Sequence, residues 1–241
     1  MSRAEPRKEQ PLKGRVVVTH CRRYVPTACP SVNVIESVYH RPMQDPTADV
    51  SAFVLAGGKS TRMGSDKAFV MLDGRTLVAR ALDLARTVTD DVHIVGSAEK
   101  FAAFAPVIED IFRDCGPLGG IHAALRASAA ELNLILAVDA PFVPSALLLH
   151  LIARARSSEA IAIVPRAGGG WQPLCAVYRR EFADAAEKAL RSGHYKIDAL
   201  FDEVKMQAIE EADLARAGLA PNIFRNLNTK GDLEEALRTE N

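Results

Sequence analysis

From residue 51 onward, apolar runs typical of buried strands alternate with segments of helical period. The strand-like runs are residues 51–56, 91–97, 105–110, 132–140 and 160–166, and the helical segments are 76–88, 117–130 and 145–158. Strands that alternate with helices predict βαβ units, and near-continuous apolar strands are typical of a parallel sheet covered on both faces. The pattern therefore predicts an α/β fold, Rossmann-like, with three α/β/α layers and a mostly parallel sheet.

The pattern is looser after residue 171. Residues 171–180 are interpreted as a strand, and 181–193 as a helix that Gly193 ends. Two late strands are predicted at 204–211 and 222–229, followed by a closing helix at 231–238.

The first 50 residues differ from the rest. They hold six of the 13 prolines, and their eight basic residues outnumber five acidic ones. Prolines at this density forbid a long helix. We therefore expect two regions: an extension over 1–50, disordered or created by a mis-assigned start upstream of Met43, and one domain over 51–241.

Charge, hydrophobic run length and cysteine content argue against several classes of function. Thirty basic and 30 acidic residues cancel, which gives no support to a nucleic-acid or membrane-surface role. No apolar run approaches the roughly 18 residues that would span a bilayer, and the N-terminus lacks a secretory signal, so we expect a cytoplasmic protein. The four cysteines form no CxxC pair, which argues against a zinc site.

The segment VLAGGKSTRMGSDKA, residues 54–68, follows the first predicted strand. Glycine-rich loops after strands hold phosphates through backbone N–H groups. A P-loop would need glycine at 53, where Phe53 stands, and the glycine spacing does not fit a dinucleotide fingerprint. A third interpretation is the signature of a nucleotidyltransferase loop, adjacent glycines followed by Arg-Met-Gly and Lys, in which Arg62 and Lys67 bring cations to a triphosphate. The alternative is a glycine-rich turn with solvated surface charges. The segment approaching base and ribose would be Leu55, Ala56, Gly57 and Gly58.

This segment closely resembles the signature of the molybdenum cofactor guanylyltransferases, the MobA-like NTP transferases. Similar short motifs follow in the same order, within residues 107–121, 137–143, 172–178 and 226–233. The resemblance implies transfer of GMP from GTP, with Mg²⁺, to molybdenum-bound molybdopterin, and release of pyrophosphate. A molybdoenzyme or its chaperone is a further candidate partner.

Five residues carry the expected chemistry beyond the loop. Asp139 and Asp110 each end an apolar run, so both should lie at the carboxyl edge of the sheet. The resemblance assigns Asp139 to the metal and nucleotide, and Asp110 to the guanosine. Asn226 and Asn228 alternate along a predicted strand; the resemblance puts them near metal or acceptor, while turn hydrogen bonding is an equal alternative. The resemblance also places Gly96 in the nucleotide pocket, at a position where relatives often carry asparagine.

Two other functions stay open. One is a related transferase that uses CTP or another NTP on a different phosphorylated acceptor, since fold alone does not fix substrate. The other is a non-catalytic nucleotide-binding protein. The presence of both Lys67 and Asp139 favours an enzyme. Base preference rests on the resemblance, and the sequence indicates neither the oligomeric state nor the molybdopterin-binding residues.

Overall fold

The computed structural model describes residues 49–57, 66–227 and 231–232. The chain divides into two units, Met1–Arg41 and Pro42–Asn241, and every described residue belongs to the second. The expected extension over 1–50 therefore lies, apart from its last two residues, outside the described residues. Whether this extension is disordered or results from a mis-assigned start stays a prediction.

The regular elements follow the order expected from the sequence pattern. The strands are β1 (Val50–Leu55), β2 (Met71–Leu72), β3 (Arg75–Thr76), β4 (Val92–Val95), β5 (Val107–Ile108), β6 (Leu132–Ala137), β7 (Ala162–Ala167), β8 (Gly170–Trp171), β9 (Cys175–Arg179) and β10 (Met206–Ile209). The helices are α1 (Leu77–Arg86), α2 (Ala98–Phe101), α3 (Pro117–Ala127), α4 (Ser145–Arg156), α5 (Phe182–Arg191) and α6 (Glu211–Arg216). Short 3₁₀ turns lie at Lys67–Phe69, Ile197–Asp202 and Pro221–Phe224.

Among the described residues, eight strands form one mixed sheet in the order β10-β7-β9-β6-β1-β4-β5, with β8 paired to β7. Strands β6, β1, β4 and β5 run parallel, and β9 is antiparallel to both its neighbours. Leu55, the last residue of β1, pairs with Val95 on one side and Ala137 on the other. The carboxyl ends of β6, β1 and β4 are therefore level, and the predicted mostly parallel sheet is confirmed.

Helices cover both faces of this sheet. Val54 packs in a core with the apolar sides of α1 and α4, whereas its neighbour Phe53 packs in a second core with α3 and α5. Successive residues of a strand point to opposite faces, so one strand contributes to both cores. This arrangement confirms the predicted three-layer fold.

Proline explains the first difference from the predicted elements. The single strand expected over 171–180 is two strands, β8 and β9, because Pro173 has no N–H to donate to a ladder. The amide of Cys175 closes a turn onto the Gln172 carbonyl at 3.1 Å. The buried hydroxyl of Tyr178 donates to the Pro173 carbonyl at 2.8 Å and so fixes that turn from within β9.

The strand predicted over 222–229 was wrong for the residues that the structure describes. Pro221–Phe224 form a 3₁₀ turn, and 225–227 have no regular structure. Pro221 stands in the first turn of that segment, where its fixed φ favours helical geometry. Asn226 is therefore not on a strand, and Asn228 lies outside the described residues. The closing helix is described only at 231–232, and both residues are helical.

None of the described helices is both long enough and apolar enough to cross a membrane.

Candidate functional site

The ends of four neighbouring strands form one edge of the sheet. Backbone hydrogen bonds continue past the strands: Ala56 N–H donates to Val95 at 3.0 Å, and Val138 N–H donates to Leu55 at 3.1 Å. Gly96 N–H donates in the same way to Ile108 at 3.0 Å. These bonds bring the segments that follow β6, β1, β4 and β5 side by side. In open α/β sheets ligands bind at such an edge.

Lys67 and Asp139 meet at this edge. The Nζ of Lys67 lies 3.2 Å from Oδ2 of Asp139, and the two side chains are 20% and 21% exposed. Lys67 opens the 3₁₀ turn that follows the glycine-rich segment, and Asp139 follows β6 after Val138. A half-buried cation and carboxylate at one point can receive a phosphate and a metal ion, respectively.

Asp110 lies just after β5, which is separated from β6 by the two strands β1 and β4. Its side chain is partly buried, and burial raises the pKa of this carboxyl above its ordinary value of 3.8. Among the described residues, nothing donates a hydrogen bond to it or forms an ion pair with it. An ionised carboxylate only accepts hydrogen bonds, so Asp110 suits a ligand that presents N–H or O–H donors.

Glycine is required both in the loop before α3 and in the first turn of α3. Gly116 has φ +66° and ψ −160°, a conformation that other residues rarely adopt. A Cβ on Gly119 would lie 2.8 Å from the carbonyl oxygen of Phe112, closer than real contacts allow. A Cβ on Gly120 would touch the side chains of Leu55 and Val95 at 3.4 Å. The first turn of α3 therefore packs tightly against the ends of β1 and β4.

The segment around Asn226 is anchored to the turn after β6. The N–H of Leu227 donates to the Asp139 carbonyl at 3.0 Å, and Leu227 is fully buried. The guanidinium of Arg225 stacks over the ring of Phe142 at 4.5 Å. Asn226 itself is exposed and adjacent to the backbone of Asp139.

The described residues include most but not all of the predicted site. Leu55 ends β1, Ala56 and the exposed Gly57 follow it, and Gly96 follows β4. Three predicted residues lie outside the described ranges: Gly58, Arg62 and Asn228.

Residues that sequence reasoning missed lie beside Lys67. Lys100 and Phe101, in α2, contact Asp66 and Phe69. Only a lysine and a phenylalanine in a short polar helix are visible in the sequence, and no spacing signal links them to the loop. Asp66 caps the turn through the N–H of Ala68 and forms an ion pair with Lys100.

The donor set fits one kind of metal site. Within 49–57, 66–227 and 231–232, no three His, Cys, Asp or Glu residues group closely enough to enclose an ion. Magnesium is often held by one or two carboxylates, with water and substrate phosphates completing its octahedron. Asp139 alone meets that requirement when a phosphate is present. The described residues therefore fit a metal ion that Asp139 would hold together with substrate phosphates and water.

A mixed sheet of this order, with a glycine-rich segment after β1 and a lysine–aspartate pair at its carboxyl edge, defines an α/β nucleotidyltransferase. A family model described as the MobA-like NTP transferase domain matches residues 52–208. The chain therefore belongs to the MobA-like NTP transferase family, and it is a nucleotidyltransferase. Enzymes of this family generally use a divalent metal ion.

Named relatives extend the similarity over most of the domain. The molybdenum cofactor guanylyltransferase of Desulfosudis oleivorans is 36% identical over 190 residues, 78% of this chain and 94% of that protein. The one from Syntrophotalea carbinolica is 30% identical and covers 77% of this chain and 89% of its own length.

Solved structures agree on the fold. Molybdopterin-guanine dinucleotide biosynthesis protein A from Archaeoglobus fulgidus superposes with a TM-score of 0.70 at 29% identity, over 78% of this chain and 97% of that one. The 4-diphosphocytidyl-2C-methyl-D-erythritol synthase from Anaerococcus prevotii superposes with a TM-score of 0.58 at 16% identity, over 79% and 95%. The second likeness shows the fold alone, so a shared fold does not select the base.

Proposed function

We propose that the chain transfers GMP from GTP to molybdenum-bound molybdopterin, with Mg²⁺, and releases pyrophosphate. The observation that carries this proposal is the alignment, along one sheet edge, of the Lys67–Asp139 pair with the carboxylate of Asp110, which has no partner among the described residues. The names of the relatives at 36% and 30% identity support the choice of guanine and of molybdopterin.

The nucleotide side follows from the donors and acceptors at that edge. Asp110 would accept hydrogen bonds from guanine N1–H and N2–H₂, or from ribose hydroxyls, because its carboxylate has no other donor among the described residues. Gly57, exposed and without a Cβ, leaves the backbone after β1 open to the ribose and base. Leu55, Ala56, Gly58 and Gly96 would complete this pocket through backbone groups.

In the reaction, a terminal phosphate oxygen of the molybdopterin attacks the α-phosphorus of GTP. The bond from that phosphorus to the β-phosphate oxygen breaks, and pyrophosphate leaves. Both reactants are anions, so the site must neutralise charge and hold them in line. Lys67 and Arg62 would bind the phosphate oxygens, and Asp139 would bind the metal. A metal ion held by Asp139 would supply Lewis-acid neutralisation of phosphate charge.

Asn226 and Asn228 would serve the acceptor. Asn226 is exposed one residue before the amide that binds the Asp139 carbonyl, so an acceptor phosphate that reaches Asp139 passes close to it. An asparagine amide can donate to phosphate without adding charge.

Isothermal titration calorimetry with GTP, CTP and ATP, each with and without Mg²⁺, tests the nucleotide half of the proposal. GTP should bind at least about 10-fold tighter than CTP or ATP, and only with Mg²⁺, since the lost base hydrogen bonds cost at least about 1.5 kcal/mol. Preference for CTP would refute the guanylyl assignment and favour the related cytidylyl transferase. Transfer of labelled GMP to molybdenum–molybdopterin then tests the acceptor.

A further inference from the structure

Helix α2 contacts the turn that carries Lys67 at two points. The first contact is an ion pair, in which Lys100 Nζ lies 2.7 Å from Oδ2 of Asp66. The other carboxylate oxygen of Asp66 accepts the N–H of Ala68 at 3.3 Å and so caps the Lys67–Phe69 turn. One carboxylate therefore joins α2 to the beginning of the turn.

The second contact is aromatic. Phe69, the last residue of the turn, stacks on Phe101 with ring centroids 5.5 Å apart and planes inclined by 15°. Phe104 lies against the outer side of Phe69 at 6.0 Å. Adjacent residues of α2 thus hold both ends of the turn, and Lys67 lies between the two contacts.

Gly96 provides the space for this arrangement. A Cβ at residue 96 would lie 3.1 and 3.2 Å from two ring carbons of Phe101, closer than most side-chain contacts. A larger side chain there would push the ring away from β4 and away from its stack on Phe69. The ring of Phe101 therefore occupies the direction that a side chain at residue 96 would take.

We propose that Lys100 and Phe101 are positioning residues that hold the Lys67 turn so that Lys67 reaches Asp139. The 3.2 Å contact between those two side chains is the result of this placement. A lysine at residue 100 also neutralises Asp66, a carboxylate only 23% exposed beside a site for polyanions. Lys100 is charged at neutral pH at its ordinary pKa of 10.5, and its hydrogen bond to Asp66 raises that pKa further. The expected effects on kcat/KM for GTP rest on the proposed function, whereas the expected effects on amide hydrogen exchange do not.

The first test compares Lys100→Met with Lys100→Arg. Lys100→Met should accelerate amide hydrogen exchange at Ala68 and Phe69 by about 2- to 5-fold, the size expected for one exposed ion pair. It should lower kcat/KM for GTP by a similar factor and leave the KM for the acceptor unchanged. Lys100→Arg keeps the charge and should restore both values to within about 2-fold of wild type.

Lys205→Met is the matched control. Lys205 forms an ion pair of similar length, 3.0 Å, with Glu159, just before the strands β10 and β7 and at the opposite edge of the sheet. The control should change neither the exchange rates nor kcat/KM. Equal exchange rates in Lys100→Met and Lys205→Met, or no recovery in Lys100→Arg, would overturn the role of Lys100.

A second pair of variants tests the aromatic contact. Gly96→Ala should displace the Phe101 ring, accelerate exchange at Phe69 and Val70, and lower kcat/KM for GTP. Gly170→Ala is the control, because a Cβ there meets nothing within 4 Å. Unchanged exchange in Gly96→Ala would overturn the role of Phe101. If wild type fails to bind GTP with Mg²⁺, the proposed function fails, and the exchange rates alone decide whether α2 holds the turn.

Discussion

Lys67 and Asp139 are 72 positions apart in the sequence, and their side chains form an ion pair of 3.2 Å at the carboxyl edge of the sheet. In this state each charge compensates the other. A metal ion at Asp139 would have to replace the lysine ammonium, and a phosphate at Lys67 would have to replace the carboxylate. A nucleotide that brings both a phosphate and a metal satisfies both groups at once, so metal and nucleotide should bind cooperatively.

Asp139→Asn tests this coupling. The amide keeps the shape of the side chain but removes its charge, so Mg²⁺ should no longer tighten GTP binding. GMP transfer should fall by about 10²- to 10³-fold, as when one group that stabilises transition-state charge is removed. Calorimetry with and without Mg²⁺ and a single-turnover assay measure the two effects. Glu159→Gln, in the exposed ion pair at the opposite edge, should change neither.

Asp110 gives a prediction that separates stability from binding. Burial raises the pKa of this carboxyl, so its ionised form is disfavoured in the folded protein. For an acid with a raised folded pKa, the contribution to stability is present at low pH and is lost as pH rises through the folded pKa. At neutral pH the charge of Asp110 therefore destabilises the fold.

Asp110→Asn should accordingly be at least as stable as wild type at pH 7 and yet bind GTP about 10- to 100-fold more weakly, the loss expected for hydrogen bonds to a charged acceptor. Preference for GTP over ATP should decrease with it. Urea unfolding and calorimetry give the two numbers. A variant that loses stability but keeps its GTP affinity would show that Asp110 serves the loop rather than the base.

Sequence periodicity was sufficient to predict the sheet, because β1 and β6 are buried on both faces and their sequences are apolar runs. The same runs indicated that Asp110 and Asp139 lie at the carboxyl edge, since each aspartate ends one. Local sequence signals did not predict the structure correctly where tertiary contacts determine it. The segment after Pro221 looks like a strand, but Leu227 donates to the Asp139 carbonyl instead of to a neighbouring strand. Lys100 and Asp66 are 34 positions apart, and no periodicity relates them.

His122 is a buried residue of α3, and it should make the free energy of unfolding depend on pH. The ring is 2% exposed, its Nε2 lies 3.4 Å from Glu187, and its Nδ1 has no partner among the described residues. Burial lowers the pKa of this histidine, and the nearby charges of Arg126 and Arg191 act in the same direction, against Glu187. The folded protein therefore resists protonation that the unfolded chain accepts.

The free energy of unfolding should consequently decrease as pH falls below about 6.5, by at most ~1.4 kcal/mol per pH unit for this one group. Urea unfolding at pH 7.5 and 5.5 measures the change, and in His122→Gln the decrease should be smaller. Glu187 does not interfere in this range. Its hydrogen bonds to Arg191, Arg126 and His122 lower its pKa to about 2, so its contribution is lost only as pH falls from 4.5 towards that value. An equal decrease in both proteins would contradict the assignment to His122.

Gly119 connects the packing of α3 with the candidate base pocket. A Cβ at this residue would lie 2.8 Å from the Phe112 carbonyl oxygen, and that atom belongs to the loop between β5 and α3, which also carries Asp110. Gly119→Ala can be accommodated only if this loop moves or α3 shifts. We expect a loss of about 1–3 kcal/mol in the free energy of unfolding, typical of overpacking. GTP affinity should fall as well, because displacement of the loop moves Asp110.

Gly170→Ala is the control, because the added methyl meets open space. Its free energy of unfolding should be within about 0.5 kcal/mol of wild type, and it should bind GTP normally. Unchanged GTP affinity in a destabilised Gly119→Ala would show that the loop can yield at Phe112 without moving Asp110.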